Sequence, residues 1–359
     1  MDGMLGDLKK GRRQAVAKAI SLVENDPAGA RRLIKKIFPH TGSSVIIGIT
    51  GPAGAGKSSL INKTVVALNR MGARPAVLAV DPTSHITGGA ILGDRVRMAE
   101  SADSGTYIRS IASRGATGAV SSSLRNSIRV LEYAGFDPIM IESVGAGQTE
   151  VEISTIADVT VVVFNPHTGD SIQAIKAGLT EIGDMYLVNK CDLEGADRLY
   201  DAVRDFIADR AEIGSGDDAA TTPPAKGAAA SYGGRRSSGL VPGRVALKTS
   251  TKRSHTIAKF AKVLMEMAGQ ARAQKTGDLR RAKLDAELRE IITSNVRAAV
   301  DEMVDSDKAA QRYIGRLASG KSSPLDAADR LTESLLGSSS SSSTRSSSSN
   351  RRRRPAPDS

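Results

Sequence analysis

The segment Gly51-Pro52-Ala53-Gly54-Ala55-Gly56-Lys57-Ser58 sits between an apolar run, SVIIGIT (44–50), and a helix-compatible stretch, KSSLINKTVVALNRMG. A strand, a glycine-rich turn and a helix in that order leave few folds open. The pattern G-x-x-x-x-G-K-[ST] is met without a mismatch, in the context that a phosphate-binding loop requires. Glycines let backbone N–H groups turn inward around a phosphate, and the helix N-terminus adds positive potential. Lys57 is the candidate for reaching the β- and γ-phosphates and the Ser58 hydroxyl for ligating Mg²⁺, with Ser59 completing the phosphate-binding set.

Around this loop, short apolar runs alternate with helical stretches: PAVLAV (75–80), YIRSI (107–111), PIMIE (138–142), VTVVVF (159–164), MYLVN (185–189) and VALKT (245–249). The runs are apolar at successive positions, as strands covered on both faces are. The alternation predicts an α/β fold of P-loop NTPase type, a doubly wound and mostly parallel sheet. Aromatics make up only 3% of the chain and Trp is absent, so Val, Ile, Leu and Ala must fill its core. Residues 1–39 read as a helical segment, with Asn25-Asp26-Pro27 starting a second helix through Ile37. The nucleotide domain is expected over 40–269, interrupted at 214–243 by an Ala/Gly/Ser/Pro-rich insertion. Residues 270–337 return to helical spacing as an arm, with Leu325, Ala328, Leu331, Leu335 and Leu336 on one stripe after Pro324. Neither arm helix can bury its stripe alone. The Ser/Arg tail, 338–359, is expected to be disordered.

Asn189-Lys190-Cys191-Asp192 follows the apolar MYLV, an N-K-x-D at a strand end. A carboxylate there can accept hydrogen bonds from the N1–H and 2-amino group of guanine. Adenine lacks that donor pair, so the motif favours GTP and GDP over ATP. Thr249 and Ser250, after the seventh run, are placed to cover the base with backbone N–H groups, although a plain loop explains them equally.

Strand C-termini of such a sheet crowd at the ligand crevice. Asp81 and Glu142, just past two of them, are therefore expected near the same Mg²⁺ and water. Asp94, in GGAILGD, is a third candidate, with a plain loop acid equally open. Glu142-Ser143-Val144-Gly145 has the spacing of the D-x-x-G element whose glycine N–H senses a γ-phosphate. The longer Glu side chain would reach the metal through a water. Gln148 could orient the attacking water; a surface glutamine explains it as well.

Bulk properties narrow the class. One cysteine, Cys191, excludes an internal disulfide and suits a reducing cytosol. The charged N-terminus is no secretory signal, and no apolar run approaches the roughly 18–20 residues of a spanning helix. A cytoplasmic protein without a membrane segment is expected. Of the net charge of +11, the tail supplies five arginines against one acid. The folded part is only mildly basic, so the tail reads as solubilising rather than as an RNA-binding module.

The motifs GITGPAGAGKSS, LAVDPTSHITGGAILGDRVRM, IRSIASRGATGAV, IESVGAGQTE, GDSIQAIKAGL and VNKCD together resemble the MeaB/MMAA/ArgK family of GTPases. These are accessory proteins of adenosylcobalamin-dependent methylmalonyl-CoA mutase. The resemblance covers roughly residues 4–337 apart from the insertion. It implies that Asp81, Asp94 and Glu142 lie around Mg²⁺ and the switches, and that Gly169 to Glu181 forms a mobile loop signalling to the mutase. It further implies that the C-terminal helices make a homodimer. The implied activity is slow GTP hydrolysis, stimulated by a partner, that gates cobalamin loading and protects an acyl-CoA mutase. Ser143 and Ala146 stand where the family usually carries Thr and Val. Arg109 and Arg114 fall in a matched segment, and structural salt bridges are the expected role for both.

Three other classes bear on the same features. A nickel-inserting GTPase needs His or Cys clusters, and this chain has four dispersed His and one Cys. An RNA-binding module would have to rest on the tail. A P-loop kinase linked to lysine, arginine and ornithine transport is the remaining alternative, for which no acceptor pocket is evident.

Overall fold

Seven strands build one sheet: β1 (Ile46–Thr50), β2 (Ala76–Pro82), β3 (Tyr107–Ser113), β4 (Ile139–Ser143), β5 (Val159–Phe164), β6 (Met185–Val188) and β7 (Val245–Lys248). Their order is β3-β2-β4-β1-β5-β6-β7, and every pairing is parallel. The expected mostly parallel sheet is thus fully parallel. The computed structural model describes residues 2–82, 105–113, 119–143, 148–167, 182–213 and 244–338. Asp94, Gly145, Arg114, the 169–181 segment, the 214–243 insertion and the tail lie outside them.

The apolar runs are continuous because both faces of the sheet are covered. In β1, Ile46 joins one core with Leu78, Ile139 and Ile141, while Ile47 and Ile49 join the other with Val77 and Met140. The first core receives α2 (Arg13–Asn25) and α3 (Pro27–Ile37) through Val16, Ile20 and Leu33, and α5 (Ala119–Tyr133) through Leu131. The second receives α4 (Lys57–Arg70) through Leu60 and Val65, and α8 (Ser254–Ala273) through Phe260 and Leu264. A third cluster sets Phe164 and Tyr186 against Leu199 and Val203 of α7 (Ala196–Ile213).

The N-terminal segment has one helix more than its sequence spacing suggested. A first helix, α1 (Asp2–Lys9), precedes α2, and Gly11 at φ +66° breaks the chain between them. Asp26 caps α3 by accepting the Gly29 N–H at 2.8 Å, with Pro27 at the first helical position.

The N-terminal end of the sheet is tied by Asp158. It accepts the Ile46 N–H at 2.9 Å and pairs with Lys275 and Lys283 at 2.8 and 2.6 Å. Burial alone would raise its carboxyl, but the two lysine charges and their hydrogen bonds outweigh burial and hold it below the ordinary carboxylate range. Arg109 ties β3 to α2 through Glu24 at 2.5 Å and Ser21 at 3.1 Å, the structural role expected of it.

The chain divides into two compact units, 1–288 and 289–359. The long helix α9 (Gly277–Ser306) runs through the division. In the second unit, α10 (Lys308–Ala318) starts at Asp307, whose side chain caps the Ala309 N–H, and packs on α11 (Pro324–Ser338). The stretch of α9 in this unit leaves Ile291, Ile292 and Val296 exposed, and Leu325 of α11 is 78% exposed. Among the described residues no helix is long and apolar enough to cross a membrane.

Candidate functional site

The crevice lies at the C-terminal ends of the central strands, where strand order reverses on either side of β1. Register aligns Ile49 with Glu142, and Val80 with Ser143. Thr50 and Ser143 therefore end β1 and β4 level with Val80, and Asp81 follows one residue further along β2. The phosphate loop leaves β1 at Gly51 and enters α4 at Lys57.

The glycines of this loop answer to specific contacts. A Cβ on Gly51, at φ +142°, would come 2.1 Å from the Val163 carbonyl oxygen of the neighbouring strand. A Cβ on Gly56, at φ +85°, would come 2.7 Å from the Asn189 amide nitrogen. Neither position admits another L-residue without moving the loop or its neighbours.

Side chains from two other strands hold the loop. Asn165, one residue past β5, donates to the Gly54 carbonyl at 2.8 Å and accepts the His167 N–H at 2.7 Å. Asn189, one residue past β6, donates to the Ala55 carbonyl at 2.9 Å. Lys190 sits at φ +55°, a rare conformation for a residue with a side chain, and its ammonium reaches the Gly54 carbonyl at 3.0 Å. The N-K-x-D motif thus braces the phosphate loop with its first two residues. Sequence reasoning missed Asn165; its signal is a polar amide ending an otherwise apolar strand.

Lys57 is buried, and its ammonium donates to the carbonyls of Gly51 and Pro52 at 2.6 and 3.1 Å. Burial pulls its pKa below the ordinary lysine value; the charges of Glu142 and Glu150 oppose that shift. Ser58 donates to Glu142 at 2.6 Å. The hydroxyl and the carboxylate expected at Mg²⁺ are therefore in contact. Asp81 is placed by its backbone at the end of β2, and Gln148 opens α6 (Gln148–Ile156). Ala53 and Gly54 face solvent beside these groups, while Ala55 is buried.

Glu150, for which the sequence suggested no role, is part of this centre. It lies in the first turn of α6, 6% exposed, on the face that also buries Ile153 and Ile156. Burial raises its carboxyl above the ordinary range, while Lys57 and a hydrogen bond from Thr50 pull it back. An acid three residues before a buried Ile at helical spacing was the available signal.

At the base end, Asp192 accepts the Ser250 hydroxyl at 2.6 Å and pairs with Lys252 at 2.9 Å. The Ser250 bond first, then Lys252, lowers its pKa to about 2, so it is a carboxylate at any working pH. The Ser250 N–H is engaged by the Thr256 hydroxyl at 3.0 Å, so Ser250 reaches the motif with its side chain rather than its amide. Thr249 accepts the Cys191 N–H at 3.0 Å, which fixes the β7 loop beside the motif.

These residues fit a guanine nucleotide. The cradle is one that a Cβ would fill, a buried ammonium is held by two carbonyls among the described residues, and Ser250 fixes the Asp192 carboxylate. The buried Asn189 Oδ1 also has no hydrogen-bond partner. A separate cavity of about 210 Å³ opens at the other end of the sheet, near Ser44, Ile46 and Glu287. Three cations lining it, Lys275, Lys283 and Arg129, are paired with Asp158 and Glu287, which makes it a packing seam.

The chain is similar to several known proteins. The family described as methylmalonyl-CoA mutase-associated GTPase MeaB matches residues 16–305. A Pyrococcus abyssi protein named as a GTPase is 36% identical over 342 residues, covering 94% of this chain and 97% of its own. A Pyrococcus horikoshii protein, likewise named, is 52% identical over 201 residues, 56% of this chain and 63% of that one. The mouse mitochondrial methylmalonic aciduria type A homolog is 36% identical over 207 residues, 54% of this chain and 50% of its own. The match therefore spans less than two thirds of these last two relatives. The crystal structure of a LAO/AO transport system kinase shares the fold, with a TM-score of 0.63 at 21% identity, over 93% of this chain and 97% of that one.

Proposed function

We propose that this chain, which belongs to the MeaB family of methylmalonyl-CoA mutase-associated GTPases, is a GTP-hydrolysing switch that gates adenosylcobalamin loading and protects an acyl-CoA mutase. The observation that carries this reading is that Lys57, the Ser58–Glu142 pair and the Ser250-held Asp192 all lie at the C-terminal ends of the strands.

The roles follow from the chemistry. Phosphoryl transfer is catalysed mainly by positioning and by stabilising charge on the phosphate oxygens. The loop amides of 51–56 and Lys57 bind the β- and γ-phosphates, and Asp192 selects guanine. Bound Mg²⁺ would neutralise phosphate charge; Ser58, Glu142 and Asp81 are the residues to hold it, with Asp94 a further candidate. Gln148 is our candidate for orienting the attacking water and Gly145 for sensing the γ-phosphate. Arg109, the arginine described in the matched IRSIASRG segment, is spent on Glu24. Hydrolysis by the chain alone is then slow, and a partner accelerates it.

The exposed Ile291, Ile292 and Val296 support a homodimer built on the C-terminal helices. We place the protein in the cytoplasm. To test the assignment, the purified chain is mixed with an adenosylcobalamin-dependent methylmalonyl-CoA mutase in the presence of GDP or a non-hydrolysable GTP analogue. Co-elution that depends on the nucleotide, with GTP turnover raised at least about tenfold in the complex, is expected. Absence of a complex in either nucleotide state would remove the mutase from the proposal.

A further inference from the structure

The tip of the phosphate loop is a tight turn. The Ala55 N–H donates to the Pro52 carbonyl at 3.2 Å, and Gly54, the third residue of the turn, has φ +75°. A type II turn requires that sign of φ at its third position. The carbonyls around the turn accept from two sets of side-chain donors. Those of Gly51 and Pro52 accept from the Lys57 ammonium. That of Gly54 accepts from Asn165 and Lys190, at 2.8 and 3.0 Å, and that of Ala55 from Asn189.

The two sets differ once phosphates arrive. Lys57 has three N–H donors to share between those carbonyls and any phosphate oxygen, so its hold on the loop weakens as phosphates bind. The donors on Gly54 and Ala55 are not called on in this way. Asn165 is also held ready by its own neighbours. Its Oδ1 accepts the N–H of His167, two residues on, at 2.7 Å, which makes an Asx turn. Pro166 fixes φ at the residue between. The Pro166 ring lies 3.7 Å from where a Cβ on Gly195 would stand, so the turn is backed by the residue that precedes α7. With its oxygen engaged and its side chain 1% exposed, Asn165 presents its Nδ2 to Gly54 in one orientation.

We propose that Asn165 is a positioning residue for the nucleotide phosphates. The Asn165-Pro166-His167 turn holds out a fixed amide donor that pins the Gly54 peptide and keeps the loop tip in its phosphate-binding shape while Lys57 is drawn to the ligand. A loop already in its binding shape has less order to gain on binding, and affinity rises through slower release. The loop meets substrate and transition state alike, so the effect falls on binding rather than on the chemical step. The inference rests on the guanine-nucleotide reading of the site.

The test uses the full-length chain, with fluorescent GDP and a fluorescent non-hydrolysable GTP analogue as probes, and GTP hydrolysis measured alongside. Asn165→Ala is expected to weaken both nucleotides about tenfold, mostly through faster dissociation. KM should rise in step, while kcat changes by less than about twofold. Asn165→Ser separates the turn from the grip: its hydroxyl can still accept the His167 N–H but is too short to reach Gly54. It should therefore bind as weakly as Asn165→Ala, whereas a turn needed only for folding would be rescued by serine. Asn165→Ala is also combined with Lys190→Ala. Both side chains donate to one carbonyl and each partly stands in for the other, so the double variant should lose more affinity than the product of the single losses. Affinity in Asn165→Ser equal to that of the unaltered protein overturns the proposal, as does a loss confined to kcat or a purely multiplicative double loss. Should Asn165→Ala not fold, Asn165→Ser decides alone. If the unaltered protein binds neither nucleotide, the guanine-nucleotide reading fails and this inference with it; if it binds both and Asn165→Ser matches it, this inference alone fails.

Discussion

Asp192→Asn is expected to weaken GTP binding by about a thousandfold and to make xanthosine triphosphate the preferred nucleotide. The carboxylate is held by Ser250 and Lys252 and has a pKa near 2, so it meets a base as a pure acceptor. Guanine offers it two donors, N1–H and the 2-amino group. Two charge-assisted hydrogen bonds, at about 1.5–3 kcal/mol each, account for a change of that order. An asparagine presents one acceptor and one donor, which matches the N1–H and 2-oxo group of xanthine and leaves the guanine amino group facing an amide N–H. Competition of the two triphosphates against a fluorescent guanine nucleotide reads the switch directly. Unchanged GTP selectivity in the variant would show that the base lies elsewhere.

Lys57→Ala has the other large expected effect, a loss of at least a hundredfold in affinity for GTP and GDP alike, with hydrolysis gone. The ammonium is already desolvated and is held by the loop's own carbonyls, 2.6 and 3.1 Å away, in a place where phosphate oxygens would be stronger acceptors. The loop itself should persist in the variant, because Asn165 and Asn189 brace Gly54 and Ala55 independently of Lys57. Calorimetric titration with GDP checks both points: micromolar affinity retained by the variant would show that the lysine does not carry the phosphates.

The strands were legible in the sequence because a parallel sheet covered on both faces writes uninterrupted apolar runs, and each of the seven runs became a strand. The phosphate loop was legible because its glycines are demanded by contacts as close as that of Gly51 with Val163. The sheet order was not, since pairing β1 with β4 and β5 joins segments about a hundred residues apart, and local pattern carries no record of that. The same holds for Asn165, whose partner Gly54 is 111 positions away. Glu150 was hidden differently. Its motif, IESVGAGQTE, is distinctive, but an acid in a first helical turn reads as a favourable helix terminus wherever it points. Only the packing of Ile153 and Ile156 shows that this one faces inward. The extra N-terminal helix escaped because α1 is short and glycine-containing, with little periodicity of its own.

GTP hydrolysis at the Lys57 centre, with the nucleotide selected by its base, is what every role proposed above depends on. The most direct measurement follows the γ-phosphate of labelled GTP and labelled ATP incubated separately with the purified protein and Mg²⁺, with lysine, arginine and ornithine supplied as possible acceptors. Slow release of inorganic phosphate from GTP alone is expected, none of it carried onto an acceptor. Phosphate released equally from ATP, or label transferred to an amino acid, would contradict it.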